Sequence, residues 1–582
     1  MKRILTIGIC ALMVGCHNTP KTFFDQYEET FTPVKLGDGS LSRDSVQWNN
    51  VFVEETQELY YTKSHATGAS IHKFDLEDGV FVDRGKVNLQ ENAILSDVHI
   101  AQQGNMMLFA STMLENNNDT IGDWNIWKAI RQRGIWQKPE LYFSRPMSEN
   151  EFYPTLTESG NLYFTIAPHG SQNGDIYVAE FVDGKYDEPK PLPQTINSLA
   201  NEGDAFVAPD ESYMLFASFD REQSLGKSDL YISLRNAEGD WLPPVWLGEE
   251  INSDGYDGSP FVTMDGKFLI FTSSRGSSDE NTFFNHYIVR FDAEKYRKDA
   301  LSLKNYLSNI GSEPQRFALG TISGMTIEYG ASLSLMGNEF YFSRAAPDFS
   351  VRTIMRSVFE NGKFQKPTEV WTDTFVQDAS DVQISQDGQS MLFKMNGQIP
   401  DDSLRTDGNI WRSHRVNGDW QLPEMLTASI NSQLGEYYPM PTNSGNLYFS
   451  RQQKKTSYDI YMSEFVDGKF SDAVRLPDHI NTELLESDAY VSPDESYMIF
   501  VRMDASDGLG VSDLYISFNE DGVWSHPINM EKINSEGVDG SPYVTPDGKY
   551  LFFTSTRGSS TPDKFDGHLD IYAVRFNVKD WS

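Results

Sequence analysis

Cysteine is almost absent. Cys10 and Cys16 are the only two in 582 residues. Neither a disulfide framework nor a cysteine metal site can organise the chain. Positive charge is scarce as well, with 48 Lys and Arg against 84 Asp and Glu and a formal net charge of −36. So negative a surface excludes nucleic acid as a partner. It suits a cationic partner, divalent ions or plain solubility. The ten histidines do not cluster, which removes a histidine metal centre. No Gly-x-Ser-x-Gly elbow and no His-Glu-x-x-His pair occurs, so two common hydrolase signatures are missing. Gly226-Lys227-Ser228 is not a phosphate loop, because Arg221 stands where the upstream glycine is required. The first apolar run, Ile4 to Val14, is too short to span a bilayer comfortably.

That run has a different use. Met1-Lys2-Arg3 is a basic start, the apolar stretch comes next, and Met13-Val14-Gly15-Cys16 closes it. The pattern resembles a bacterial lipoprotein signal, with Met13 where leucine is usual. The resemblance implies a signal peptide over 1–15, a lipidated (palmitate-bearing) Cys16 and a polar tether over 16–30. His17, rather than Asp, follows Cys16, which is similar to outer-membrane sorting in enterobacterial lipoproteins. The expected site is the cell envelope, held to the membrane by the lipid alone. Loss of Lys2 and Arg3 leaves 46 basic residues and a net charge of −38.

What is abundant is aromatic residues, at 13%, and glycine, at 43 residues. They are arranged in a repeat. Asp204 to Ser233 and Asp488 to Ser517 read almost alike at an offset of 284 residues. Each holds apolar runs of strand length separated by turn residues. The unit recurs along the chain, with second strands such as Leu162-Tyr163-Phe164, Phe340-Tyr341-Phe342, Leu447-Tyr448-Phe449 and Leu551-Phe552-Phe553. Fourth strands are expected at Val80–Val82, Trp136, Tyr186 and Trp241–Leu242. About 50 residues and four short strands per unit is the spacing of a β-propeller blade. The fifth and tenth units lack a fourth strand. A spare strand precedes each half, at Phe31–Gly37 and Phe317–Gly320. A spare strand that completes the last blade closes a ring and removes an open edge.

The expected fold is all-β: tandem propellers of four-stranded blades in two five-bladed rings, the alternative being one ten-bladed ring. The expected division is a first propeller over 31–291, a partly helical linker over 292–313 and a second propeller over 314–582. The clearest repeats, Thr545-Pro546-Asp547-Gly548-Lys549-Tyr550-Leu551-Phe552-Phe553-Thr554-Ser555-Thr556-Arg557-Gly558 and Asp265 through Gly276, resemble the TolB-like propeller repeat, a relative of WD-type repeats. The Leu-Pro-x-x-Ile-Asn connectors at 192–197 and 476–481 are similar to those of envelope proteins that pair propellers with a peptidoglycan-binding domain. The resemblance implies a fold rather than a function.

Recurring Asp-(Ile/Leu)-Tyr and Ser-x-Arg-Gly positions are expected to set blade geometry. The Asp-rich loops near Asn116–Asp123 and at Asp504, Asp507 and Asp513 lack EF-hand spacing. Carboxylates beside the first strands are the candidate site: Asp97, Glu151, Asp204, Asp257, Asp381, Glu436, Asp488 and Asp539. First strands line a propeller's axis, so these residues would form a carboxylate ring at each channel mouth. Such a ring would hold a cation such as calcium or a cationic partner group. Alternatively, paired carboxylates would serve acid–base chemistry on a glycan. The same carboxylates recur in both halves, whereas a catalytic site needs one asymmetric constellation. The expected function is therefore non-enzymatic binding of an envelope protein or glycan on a propeller face, with no catalytic residues and no required cofactor. The alternative is a carbohydrate-active enzyme of glycosidase or lyase type.

Overall fold

The computed structural model describes residues 23–581 except 40, 42–45, 115–121, 144–148, 172, 220, 222, 278–282, 325, 373–374, 386, 397–406, 455–456 and 559–567. The signal segment, Cys16 and Asn116–Asp119 lie outside the described residues. Among those described, no helix is long and apolar enough to cross a membrane. The chain divides into two compact units, residues 1–232 with 246–296 and residues 233–245 with 297–582.

In the first unit the strands fall into five successive antiparallel blades, whose innermost strands are Gln47–Val53, Leu95–Ala101, Glu149–Leu156, Asn201–Val207 and Asp257–Val262. The fifth blade takes its outermost strand from the start of the chain, where Val34 and Lys35 pair with Ile288 and Tyr287. Blade five also meets blade one directly, through a 3.2 Å hydrogen bond between His286 and Gln47. The second unit repeats this plan, with innermost strands Ile327–Ser334, Ala379–Ile384, Glu436–Pro441, Leu485–Val491 and Asp539–Val544. Gln315 and Arg316 complete its last blade against Ala573 and Tyr572. The Tyr543 hydroxyl of blade five donates to the Leu333 carbonyl of blade one at 3.1 Å. Each ring therefore closes on itself, and the ten-bladed alternative does not occur.

Second strands such as Met106–Ser111, Phe268–Ser273 and Tyr550–Ser555 are buried along their whole length. Both of their faces meet neighbouring blades, so they read as continuous apolar runs rather than as alternations.

Three sequence expectations move. The residues read as fourth strands at Trp136 and Tyr186 belong to outer hairpins, Ile135–Trp136 against Arg131–Gln132 and Lys185–Tyr186 against Phe181–Val182. Trp241 makes a lone bridge to Arg235. The true fourth strands come later, as Glu140–Phe143, Lys190–Pro191 and Val245–Trp246. Lys190 and Pro191 are both exposed, and an outer edge strand that buries little carries no apolar signal. The second closing strand lies before Phe317 rather than on it. Ala318 turns the chain at φ +45°, while Phe317 plugs the core against Phe552 at 4.7 Å. Finally, Phe23–Tyr27 is a short 3-10 helix rather than part of a tether. Its Phe24 and Tyr27 are buried with Phe52, Phe268 and Phe81 in the first ring.

Candidate functional site

Every innermost strand carries a β-bulge between its third and fifth positions, where the ladder register slips and one residue takes positive φ. In the first ring these are Asn49, Asp97, Tyr153, Asp204 and Ser259, at φ +48 to +58°. In the second they are Gly330, Asp381, Tyr438, Asp488 and Ser541, at φ +46 to +65°. A bulge re-aims its side chain out of the pleat. Here the ten residues make two rosettes around the ring axes, and Asp is one of the residue types that tolerates this conformation. Antiparallel pairing puts the bulges at the blade end where the second-to-third strand loops and the blade-to-blade linkers emerge. We call that end the linker face.

Within each rosette the aspartates pin one blade to the next. Asp97 accepts from the backbone N–H of Tyr153, from Trp48 Nε1 at 3.1 Å and from Ser96 Oγ at 2.7 Å. Asp204 accepts from Ser259 N at 2.8 Å and Ser259 Oγ at 3.0 Å, and from the Tyr153 hydroxyl. Asp381 and Asp488 repeat the arrangement with the backbones of Tyr438 and Ser541. Burial dominates the electrostatics of all four. It pushes Asp97 and Asp488 up to about 7, helped by the neighbouring Asp204 and Asp381 charges. Burial also raises Asp204 and Asp381. In the second ring Lys394 and Arg352 counter that rise at Asp381.

Below the first rosette is a cavity of about 30 Å³ lined by Asn49, Asn50, His99, Tyr153, Asp204 and Ser259, which is room for about two waters. Burial holds His99 down at about 4, so it is neutral and accepts from Leu156 N at 3.3 Å.

The eight carboxylates singled out from the sequence do not make one ring per channel. Asp97, Asp204, Asp381 and Asp488 face the axes. Asp257, Glu436 and Asp539 lie two residues before the bulges and serve another purpose. Each accepts from the backbone N–H and hydroxyl of a linker serine, Ser253, Ser432 or Ser535. Each also pairs with an arginine at the end of the second strand: Arg275 at 2.8 Å, Arg451 at 2.9 Å and Arg557 at 3.0 Å. Those arginines lie over the aromatic pairs Phe271 and Tyr287, Phe449 and Tyr461, and Phe553 and Tyr572. Glu151, the first-ring counterpart of Glu436, is likewise buried. The Arg of Ser-x-Arg-Gly and the Tyr of Asp-Ile-Tyr are thus parts of one structural clamp. Among the described residues no group of three or more His, Cys, Asp or Glu side chains is arranged to hold a metal ion. The Asp-rich loop is also turn geometry: Asp513 accepts from Leu509 N and Gly510 N at 3.0 and 3.2 Å, and Asp507 from the Tyr515 hydroxyl at 2.7 Å.

Other residues have roles that the sequence reading did not assign. Asn197, Asn252, Asn431, Asn481 and Asn534 each bond both the N–H and the C=O of one third-strand residue, continuing the ladder with a side-chain amide. Glu211 of the Asp204–Ser233 repeat accepts from Thr157, Ser159, Asn161 and Tyr163 of the preceding blade. Glu495 does the same with Thr442, Ser444, Asn446 and Tyr448. At the second rosette's rim, Arg352 bonds Asp378 at 2.8 Å. Lys394, only 2% exposed, lies 3.3 Å from the same carboxylate and 5.8 Å from the Tyr437 ring centre. Tyr437 meets Tyr458 edge-on at 5.4 Å. A position-by-position comparison of the two halves was the signal that would have found this cluster.

No family model matches the chain, and no curated protein does. Solved structures match in numbers, at low identity. TolB from Acinetobacter baumannii is 10% identical over 73% of this chain and 79% of that one, with a TM-score of 0.29. A thermostable family-43 glycoside hydrolase is 11% identical over 44% of this chain and 91% of that one, at 0.32. The tricorn protease is 11% identical over 92% of this chain and 57% of that one, at 0.27. Neighbours thus include TolB-like propeller proteins beside enzymes. At these scores they carry no argument about function, and the propeller rests on the chain's own ladders.

Proposed function

We propose that this chain is a non-enzymatic cell-envelope lipoprotein that binds a protein or glycan partner on a propeller face. One observation carries the reading: the axial carboxylates recur as the same pair in both rings and are spent on joining blades. Asp97 and Asp204 each accept a backbone N–H from the following blade, as do Asp381 and Asp488. An acid–base pair for glycan cleavage needs two carboxyl groups open to substrate on either side of one bond. Carboxylates tied into the wall meet that need poorly, and a duplicated pair offers no single asymmetric centre. The envelope address rests on the amino-terminal segment, through Cys16 and its lipid.

Two measurements test this. Mass spectrometry of the mature protein should find an acylated Cys16 at the amino terminus, and an unmodified start elsewhere would remove the lipoprotein. Capture from detergent-solubilised membranes, with a glycan array alongside, should give retention without product release. Sugar release that disappears in Asp204→Asn would replace the binding protein with the glycosidase or lyase alternative.

A further inference from the structure

Blade by blade, the described residues of the two rings differ sharply at the linker-face mouths. The ladders put Arg352, Lys394 and Asp378 of the second ring where the first has Ala69, Ala110 and Ile94, and Tyr437 and Tyr458 where it has Phe152 and Gly174. Five small or apolar residues at one mouth thus correspond to two cations, one anion and two tyrosines at the other. This is the asymmetric constellation that the axial aspartates do not supply.

We infer that the linker-face mouth of the second ring binds an acidic sugar, a single uronic-acid residue with its carboxylate on Arg352 and its ring against Tyr437 and Tyr458. The inference rests on the glycan branch of the function proposed above and deepens it. Arg352 uses one terminal nitrogen on Asp378, at 2.8 and 3.1 Å. Its Nε and its other terminal nitrogen make no hydrogen bond among the described residues. Those two donors form the planar fork that receives a carboxylate through two parallel bonds. The Arg352 side chain is 27% exposed, so a ligand reaches it. Lys394 is not reachable and acts by holding Asp378 and flanking Tyr437.

The place is built for these side chains. A Cβ at Gly408 would lie 2.9 Å from Lys394 Cε and 3.0 Å from Tyr437, and one at Gly435 would lie 2.7 Å from the Tyr437 hydroxyl. The half-buried tyrosines meet edge-on, with the Tyr437 hydroxyl donating to that of Tyr458, and a paired aromatic and hydroxyl surface suits a pyranose better than a peptide end. The chain's charge of −36 repels a polyanion at long range, whereas one carboxylate at contact distance feels Arg352 within the Debye length of about 8 Å. A terminal or isolated uronate therefore fits better than a polyuronate.

Calorimetric titration of the full chain with D-glucuronate, D-glucose and acetate tests the assignment. Glucuronate should bind saturably, and glucose and acetate at least tenfold more weakly. Arg352→Gln should weaken glucuronate at least tenfold with an unchanged melting temperature. Tyr437→Phe, the first ring's own residue, should weaken it by a smaller factor and serves if the arginine variant fails to fold. No saturable binding of glucuronate, equal binding of acetate, or full affinity in both variants would overturn the site. If the site fails while the array still retains another glycan, the binding-protein reading stands. Product release on the array would sink that reading instead.

Discussion

Four axial aspartates hold protons more tightly in the folded chain than in the unfolded one. A carboxyl raised by burial contributes full stability below its unfolded value near 4, and loses it as pH climbs through its folded value. For Asp97 and Asp488 that folded value is about 7. The loss is at most about 4 kcal/mol for each three-unit rise, and less where the two aspartates of a ring interact. The double variant Asp97→Asn, Asp488→Asn should therefore lose less melting temperature between pH 5 and pH 8 than the parent does. Identical slopes would mean these carboxyls titrate normally. Glu58 runs the other way: bonds from Arg131 and Lys73 overcome its burial and hold it at about 2, so its stabilisation is full above its unfolded value of 4.5 and is lost as pH falls toward 2. Glu211 and Glu495 take positive φ, +58° in each, at a turn position where Gly266, Gly388 and Gly548 stand in other blades. The conformational strain is offset by four donors from the neighbouring blade. Glu495→Gly relieves the strain but strands those donors, and chemical denaturation should show a loss of about 2–4 kcal/mol.

At the scale of elements, ring closure depends on two-residue strands supported by aromatic plugs. Phe317 follows the second closing strand and contacts Phe340, Phe364 and Phe552 within 5.3 Å of ring centre. Phe317→Ala should destabilise the second ring by about 3–5 kcal/mol, read as a lowered transition for the fragment 305–582. Second and third strands were legible because they are long, apolar and buried on both faces. Apart from Val80–Lys86, which was expected from Val80–Val82, fourth strands were not, because a few ladder residues at an outer rim need no apolar pattern. The hairpins that precede them in the chain, with Trp136 or Tyr186 beside a glycine turn, carry the stronger β signal. The closing of each ring was legible from a count, since both halves lacked one strand and both carried a spare.

At the scale of the whole molecule, each closed ring has its own core and its own closing strand. Fragments 21–300 and 305–582 should each unfold cooperatively when expressed alone. If both were unstructured apart and folded together, neither ring would be an independent unit.

Repetition, apolar run length and turn residues are local properties, and they determined the propeller and its ten blades. The sequence also put Asp97, Asp204, Asp381 and Asp488 beside first strands, but in one group with Glu151, Asp257, Glu436 and Asp539. What the sequence did not decide is what each carboxylate does. Asp204 and Asp257 look equivalent along the chain, yet the bulge turns one toward the axis while the other meets Ser253 and Arg275. Only the tertiary structure separates them, because a one-residue slip in register reverses which way a side chain points. It likewise gathers Arg352, Asp378, Lys394, Tyr437 and Tyr458 from three blades into one mouth. They are scattered over about a hundred residues of sequence, and only the side-by-side packing of three successive blades brings their strand ends together.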